Sequence, residues 1–205
     1  MSAAISALAR VLLLGGVPLF GYWVWQRRRY KRTFGETARR VGLQLGRQRY
    51  LVYSLLFAAV SVAALVIWVP PMEPLVRQGS IYRQFAGLGL SGQAIAMALL
   101  VGAVQTGFAE ELLFRGLIAG TLSRRLPLVW ANLAQALLFL LPHLGILFVA
   151  PETWQWGMLP VVYAGALVFG WVRIQSGSIL GSWLVHASGN VTMALLVAAR
   201  THKPL

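Results

Sequence analysis

Apolar residues in this chain come in long runs, without the short alternation that marks a half-buried strand. Runs near or above ~18 residues read as membrane-spanning helices. The first covers roughly residues 5–25. The second covers 51–69, where Pro70 and Pro71 end it because proline cannot continue the backbone ladder. A mixed, glycine-rich loop at 70–90 follows, and then a long third helix over 91–122, closed by Ser123, Arg124, Arg125 and Pro127. The fourth run is 128–149, with Pro142 and His143 inside it; the fifth is 158–174 and the sixth 178–199. This pattern predicts an all-α fold, a polytopic transmembrane bundle of about six spanning helices. There is no internal repeat and no low-complexity tract.

The polar stretches set the frame. Residues 26–50 carry nine Arg or Lys and one Glu, which predicts a basic cytoplasmic interfacial segment. Anionic lipid is its expected contact. A basic stretch directly after the first run, with no small-residue cleavage site, fits an uncleaved anchor. Arg124, Arg125 and Arg173 fall on the same side by alternation, so both termini are expected outside. Residues 151–157 hold two Trp, suited to an interfacial belt. The chain divides into an N-terminal part, 1–90, and a core, 91–205.

Composition agrees with this picture. Of the 205 residues 58% are hydrophobic and 11% charged, against ~25% charged in soluble domains. The mean hydropathy is +0.69. The net charge of +13 belongs to loops on the positive side, and nucleic acid is not an expected partner. With no cysteine, disulfides, thiol catalysis and zinc–thiolate sites are excluded.

The acids are few and oddly placed. There is no Asp, and two of the five Glu are neighbours inside the third run. An ionisable group there costs ~2.5–3.5 kcal/mol or more, which points to function. Glu111 and Arg115 stand i,i+4 and can pair. Glu110 is turned about 100° away and has no such local partner. In the fourth run, Phe139 precedes His143 by one turn, and Pro142 frees the carbonyl of residue 138. In the sixth, His186 and Asn190 share a helix face. Each set alone is ordinary polar glue between helices. Converging, they supply a general base, a partner to orient water, and donors for a developing oxyanion. Ser188 is badly offset from His186 for a nucleophile–base pair, so activated water is favoured.

EExxxR (Glu110 to Arg115), FxxxH (Phe139 to His143) and HxxxN (His186 to Asn190) occur in order on successive apolar runs. Over roughly residues 90–195 the chain resembles the CAAX protease and bacteriocin-processing (CPBP, or Abi) family of intramembrane endopeptidases, which includes the type 2 CAAX prenyl proteases. The resemblance implies Glu110 as catalytic glutamate, with His143 helping it hold water. It implies His186 and Asn190 as the oxyanion hole, and Glu111 and Arg115 as supports. The prenyl-protein enzymes are reached from the cytoplasmic side. The family has been described both as zinc-type metalloproteases and as metal-free glutamate proteases. Glu110, His143 and His186 would be the ligands in the first case, and the second is favoured because it leaves His186 and Asn190 for the oxyanion. The expected substrate is a membrane-anchored protein or peptide, and the expected location a bacterial or archaeal plasma membrane. A proton-coupled transporter and a non-catalytic membrane scaffold are the competing readings. Gly116 with Gly120, and Gly177 with Gly181, suit close helix packing.

Overall fold

The computed structural model describes residues 3–145 and 153–201. Those residues form helices and connecting turns, with no strand among them. Helix α1 covers 3–30, with a wider π-type turn at Leu12–Gly16. It is followed by α2 (Phe34–Arg40), α3 (Gln48–Ile67), α4 (Met72–Val76), and a 3₁₀ turn at Ile81–Phe85. The long α5 (Gly92–Leu122), α6 (Leu128–His143), α7 (Thr153–Ser176) and α8 (Leu180–Arg200) complete it. Among the described residues five helices are long and apolar enough to cross a membrane, in α1, α3, α5, α7 and α8. This is a polytopic helical bundle.

The side chains at the helix ends explain the boundaries. Thr33 accepts from Glu36 N while the Glu36 carboxylate takes Thr33 N at 2.7 Å, a capping box that starts α2. Ser91 accepts from Ala94 N and starts α5. The chain leaves α3 at Trp68, ahead of Pro70 and Pro71.

One boundary differs from expectation. The fourth run predicts a span over 128–149, but α6 has 16 residues and ends at His143. At 1.5 Å per residue it reaches about 24 Å, short of a ~30 Å hydrocarbon core. Pro142 leaves the carbonyl of residue 138 without its ladder partner, the last ladder bond is Leu144 N to the Leu140 carbonyl at 3.1 Å, and the chain turns at Leu144 and Gly145. His143 therefore stands at a helix end and not deep within a span. Residues 146–149 of that run, and the side chains of the expected Trp belt at 151–157 up to residue 156, lie outside the described residues.

The basic segment is clasped to the bundle. Arg124 and Arg173 both donate to the Arg40 carbonyl, at 3.2 and 3.1 Å, beside the C-terminus of α2, where cations are favoured. Arg124 also reaches the Tyr22 hydroxyl at 2.9 Å. These contacts join the ends of α1, α2, α5 and α7 on one face. The small residues at 116 and 120 serve this clasp. A β-carbon at Gly116 would stand 3.0 Å from the Val41 carbonyl, and one at Gly120 would stand 2.8 Å from the Arg173 guanidinium.

At the opposite end, residues 70–90 fold into a cap. Phe85 is fully buried with Leu75, Ala94, Ala98 and Ala198. Gly87, at φ +80°, sends its N–H to Thr201 at the end of α8. Helices α5 and α8 meet between these two faces. A β-carbon at Gly102 would meet Val191 N at 3.0 Å and the Asn190 carbonyl carbon at 3.1 Å, so only glycine fits without movement. Gly102→Leu is expected to push α5 and α8 apart at a cost of about 1–3 kcal/mol, the usual penalty of overpacking. Thermal unfolding in a fixed detergent reads it, and an unchanged melt contradicts the close approach.

Candidate active site

Three motif-bearing helices, α5, α6 and α8, put their polar sets around one cavity of about 510 Å³. Glu110, His143, His186 and Asn190 all line it. Its other walls are mainly apolar and come largely from α3 (Phe57, Val60) and α7 (Val161, Val162), with Tyr82 and Thr106 also facing it.

Local winding sets the carboxylates. Helix α5 runs as π-helix over Leu99–Phe108 and again over Glu111–Ala119, a winding that often marks functional sites. Thr106 Oγ1 donates within the first stretch, where the Val101 carbonyl lies 2.9 Å away and that of Gly102 3.1 Å. Glu110 sits between the two stretches. Its side chain is 19% exposed to the cavity, whereas that of Glu111, the next residue, is at 0%. The two neighbours thus have different surroundings.

Glu111 belongs to a buried polar knot. Arg115 Nη1 lies 3.0 Å from its Oε1, and neither side chain is exposed. The Arg115 guanidinium also lies over the Phe139 ring at 4.1 Å and near Phe169 at 5.1 Å, so the ring faces share its charge. His186 Nδ1 stands 3.0 Å from the same Glu111 oxygen. A carboxylate paired with arginine can only accept, so the proton of that contact is on Nδ1. The His186 ring is stacked on Phe169 and meets Phe139 edge-on. Its orientation is thereby fixed from three sides, and Nε2 is turned to Glu110, whose Oε2 is 3.9 Å away.

His143 is oriented by its own helix. Its Nδ1 is 2.8 Å from the Phe139 carbonyl, an acceptor only, so Nδ1 carries the proton. In the neutral ring Nε2 is then the acceptor. Phe139 thus supports both histidines and Arg115, a larger part than its place in a spacing pattern suggests.

Asn190 is locked at both ends. Its Nδ2 donates to Thr106 Oγ1 at 2.9 Å, and its Oδ1 takes the Tyr82 hydroxyl at 3.3 Å. Since the Thr106 proton goes to a backbone carbonyl, Thr106 can only accept from Asn190, which fixes the amide's orientation. One Nδ2 proton remains. Ser188 Oγ instead donates to the Val185 carbonyl of its own helix at 2.9 Å.

Tyr82 and Thr106 were not legible as site residues. Thr106 lies one turn before Glu110 in an apolar run, where a threonine is unremarkable. Tyr82 lies in the loop region 70–90, with no pattern around it.

Residues 92–192 match the family model of type II CAAX prenyl endopeptidase Rce1-like proteins. Over this core the chain belongs to the CAAX endopeptidase family. No curated protein and no solved structure matches it. The CAAX endopeptidase core begins with α5 and ends just past Asn190, so all three motifs fall within it. The protein is accordingly a membrane-embedded protease acting on a membrane-associated protein. Helices α1 to α4 and Tyr82 lie outside the matched stretch.

The metal variant of this chemistry needs three converging ligands. Among the described residues no three of His, Cys, Asp and Glu are so grouped. Both Nδ1 atoms are engaged elsewhere, and one Glu111 oxygen is shared by Arg115 and His186. Engagement of Nδ1 leaves Nε2 of each ring as the atom a metal would take, so Glu110, His143 and His186 are the residues that would hold one.

Proposed function

We propose that the protein hydrolyses a peptide bond of a membrane-anchored protein or peptide, using water activated by Glu110 and His143. His186 and Asn190 stabilise the oxyanion. The observation that carries this reading is the shared cavity, which brings these four side chains of three helices together inside apolar walls.

The chemistry follows from the protonation pattern. A water held by the Glu110 carboxylate and His143 Nε2 gives its proton to Glu110 as its oxygen attacks the scissile carbonyl. The carbonyl π pair moves to oxygen. That oxyanion is met by the remaining Asn190 Nδ2 proton and by His186 Nε2. With Nδ1–H committed to Glu111, Nε2 donates only from the doubly protonated ring, whose charge would sit between two carboxylates. On collapse the C–N bond breaks, and Glu110 returns its proton to the leaving amine. Glu111 and Arg115 hold His186 in place. The apolar walls from α3 and α7 suit a hydrophobic segment of the substrate.

The test uses the purified chain in proteoliposomes with membrane-anchored reporter peptides. One new C-terminus is expected, formed equally well after chelator treatment. Loss of cleavage on chelation, with recovery on adding zinc, would reassign Glu110, His143 and His186 as ligands.

A further inference from the structure

Among the described residues, Tyr82 is the one lining the cavity from outside the matched core whose side chain bonds a member of the site. We propose that Tyr82 is a positioning residue for catalysis, which holds the Asn190 amide so that its free proton faces the reacting carbonyl. The inference rests on the protease reading above and assigns part of the site to the cap at 70–90.

The cap is built to place this phenol. Ser80 Oγ accepts from Tyr82 N at 3.2 Å and starts the 3₁₀ turn. Three residues on, Phe85 is fully buried against α4, α5 and α8, and it anchors the turn. Gly87 N ties the next bend to Thr201. The Tyr82 hydroxyl thus arrives on a fixed support and not on a free loop.

Its chemistry fits one role. Burial, and after it the nearby Glu110 carboxylate, push the phenol above its ordinary pKa. It stays protonated and is a steady donor. Asn190 Oδ1 receives that proton while Thr106 holds one Nδ2 proton. An amide gripped at both ends cannot flip or swing, and preorganised donors of this kind stabilise the transition state without reorganising. Thr106 alone would hold a single point, about which the amide can turn.

The experiment is a double-mutant cycle on the full chain in proteoliposomes: wild type, Tyr82→Phe, Asn190→Ala and the double variant. Phenylalanine keeps the ring and its packing and removes only the hydroxyl. Tyr82→Phe is expected to lower kcat about 10-fold with KM within about 2-fold, because the amide donor is made less well placed and not removed, a step short of the 10²–10³ loss for a deleted donor. In the Asn190→Ala background the same change is expected to have no further effect on the residual rate. Equal losses in both backgrounds, a rise in KM alone, or a Tyr82→Phe enzyme as fast as wild type would each overturn the role. A wild-type chain that cleaves no reporter is a different failure, since it refutes the protease reading on which the role depends. Unfolding curves of all four proteins show whether loss of the hydroxyl is tolerated; should it not be, Tyr82→Trp, which keeps a donor but moves it, is expected to show the same dependence on Asn190.

Discussion

Glu110→Gln is expected to reduce turnover by about 10²–10⁴-fold, the range for removing a positioned general base. The amide is the same size and stays in the cavity, but it cannot take a proton from water. The effect on stability should be small. Arg115 pairs with Glu111, and Glu110 is partly open to the cavity at 19% exposure. A matched melt beside a lost rate separates chemistry from folding. Glu111→Gln is the control, since it weakens the knot around His186 and should lower both.

Arg115→Met carries the largest expected cost in stability, about 3–5 kcal/mol, because it strands the Glu111 carboxylate in a fully buried place. It also strips the guanidinium from the Phe139 and Phe169 faces. The double variant Glu111→Gln with Arg115→Met is expected to recover part of the loss, since no bare charge is left. Thermal unfolding in one detergent checks both. A single variant as stable as wild type would mean that the pair is solvated and that the knot does not orient His186.

Much of the fold could be read from the apolar runs, because a bilayer demands length and continuity that few other environments do. Proline positions marked the end of α3, and Arg124, Arg125 and Pro127 the end of α5. The end of α6 was misplaced, since hydropathy continues past His143 while the backbone turns at Leu144 and Gly145. The pairing of Glu111 with Arg115 was legible from i,i+4 spacing, and the face shared by His186 and Asn190 likewise. What spacing could not show was the partner of each ring nitrogen. Nor could it show that Nε2 of His186 stands 3.9 Å from Glu110 Oε2, beside the cavity that Glu110 shares with His143. Glu111 reaches His186 across 75 residues of chain. The π winding of α5 has no signature in apolar spacing. Gly116 and Gly120 look like a helix–helix motif, yet they admit the Val41 carbonyl and the Arg173 guanidinium. Tyr82 depends on a cap whose path is set by Phe85 burial and the Gly87 turn, both long-range effects.

The most direct measurement of the central claim is mass spectrometry of a cleavage reaction run in ¹⁸O-labelled water, with enzyme and both fragments weighed intact. Hydrolysis by activated water predicts fragments that sum to the substrate plus one labelled water, the label in the new carboxyl group, and an enzyme that carries no adduct at any time. An uncut reporter, or an acyl group found on the enzyme, contradicts the account.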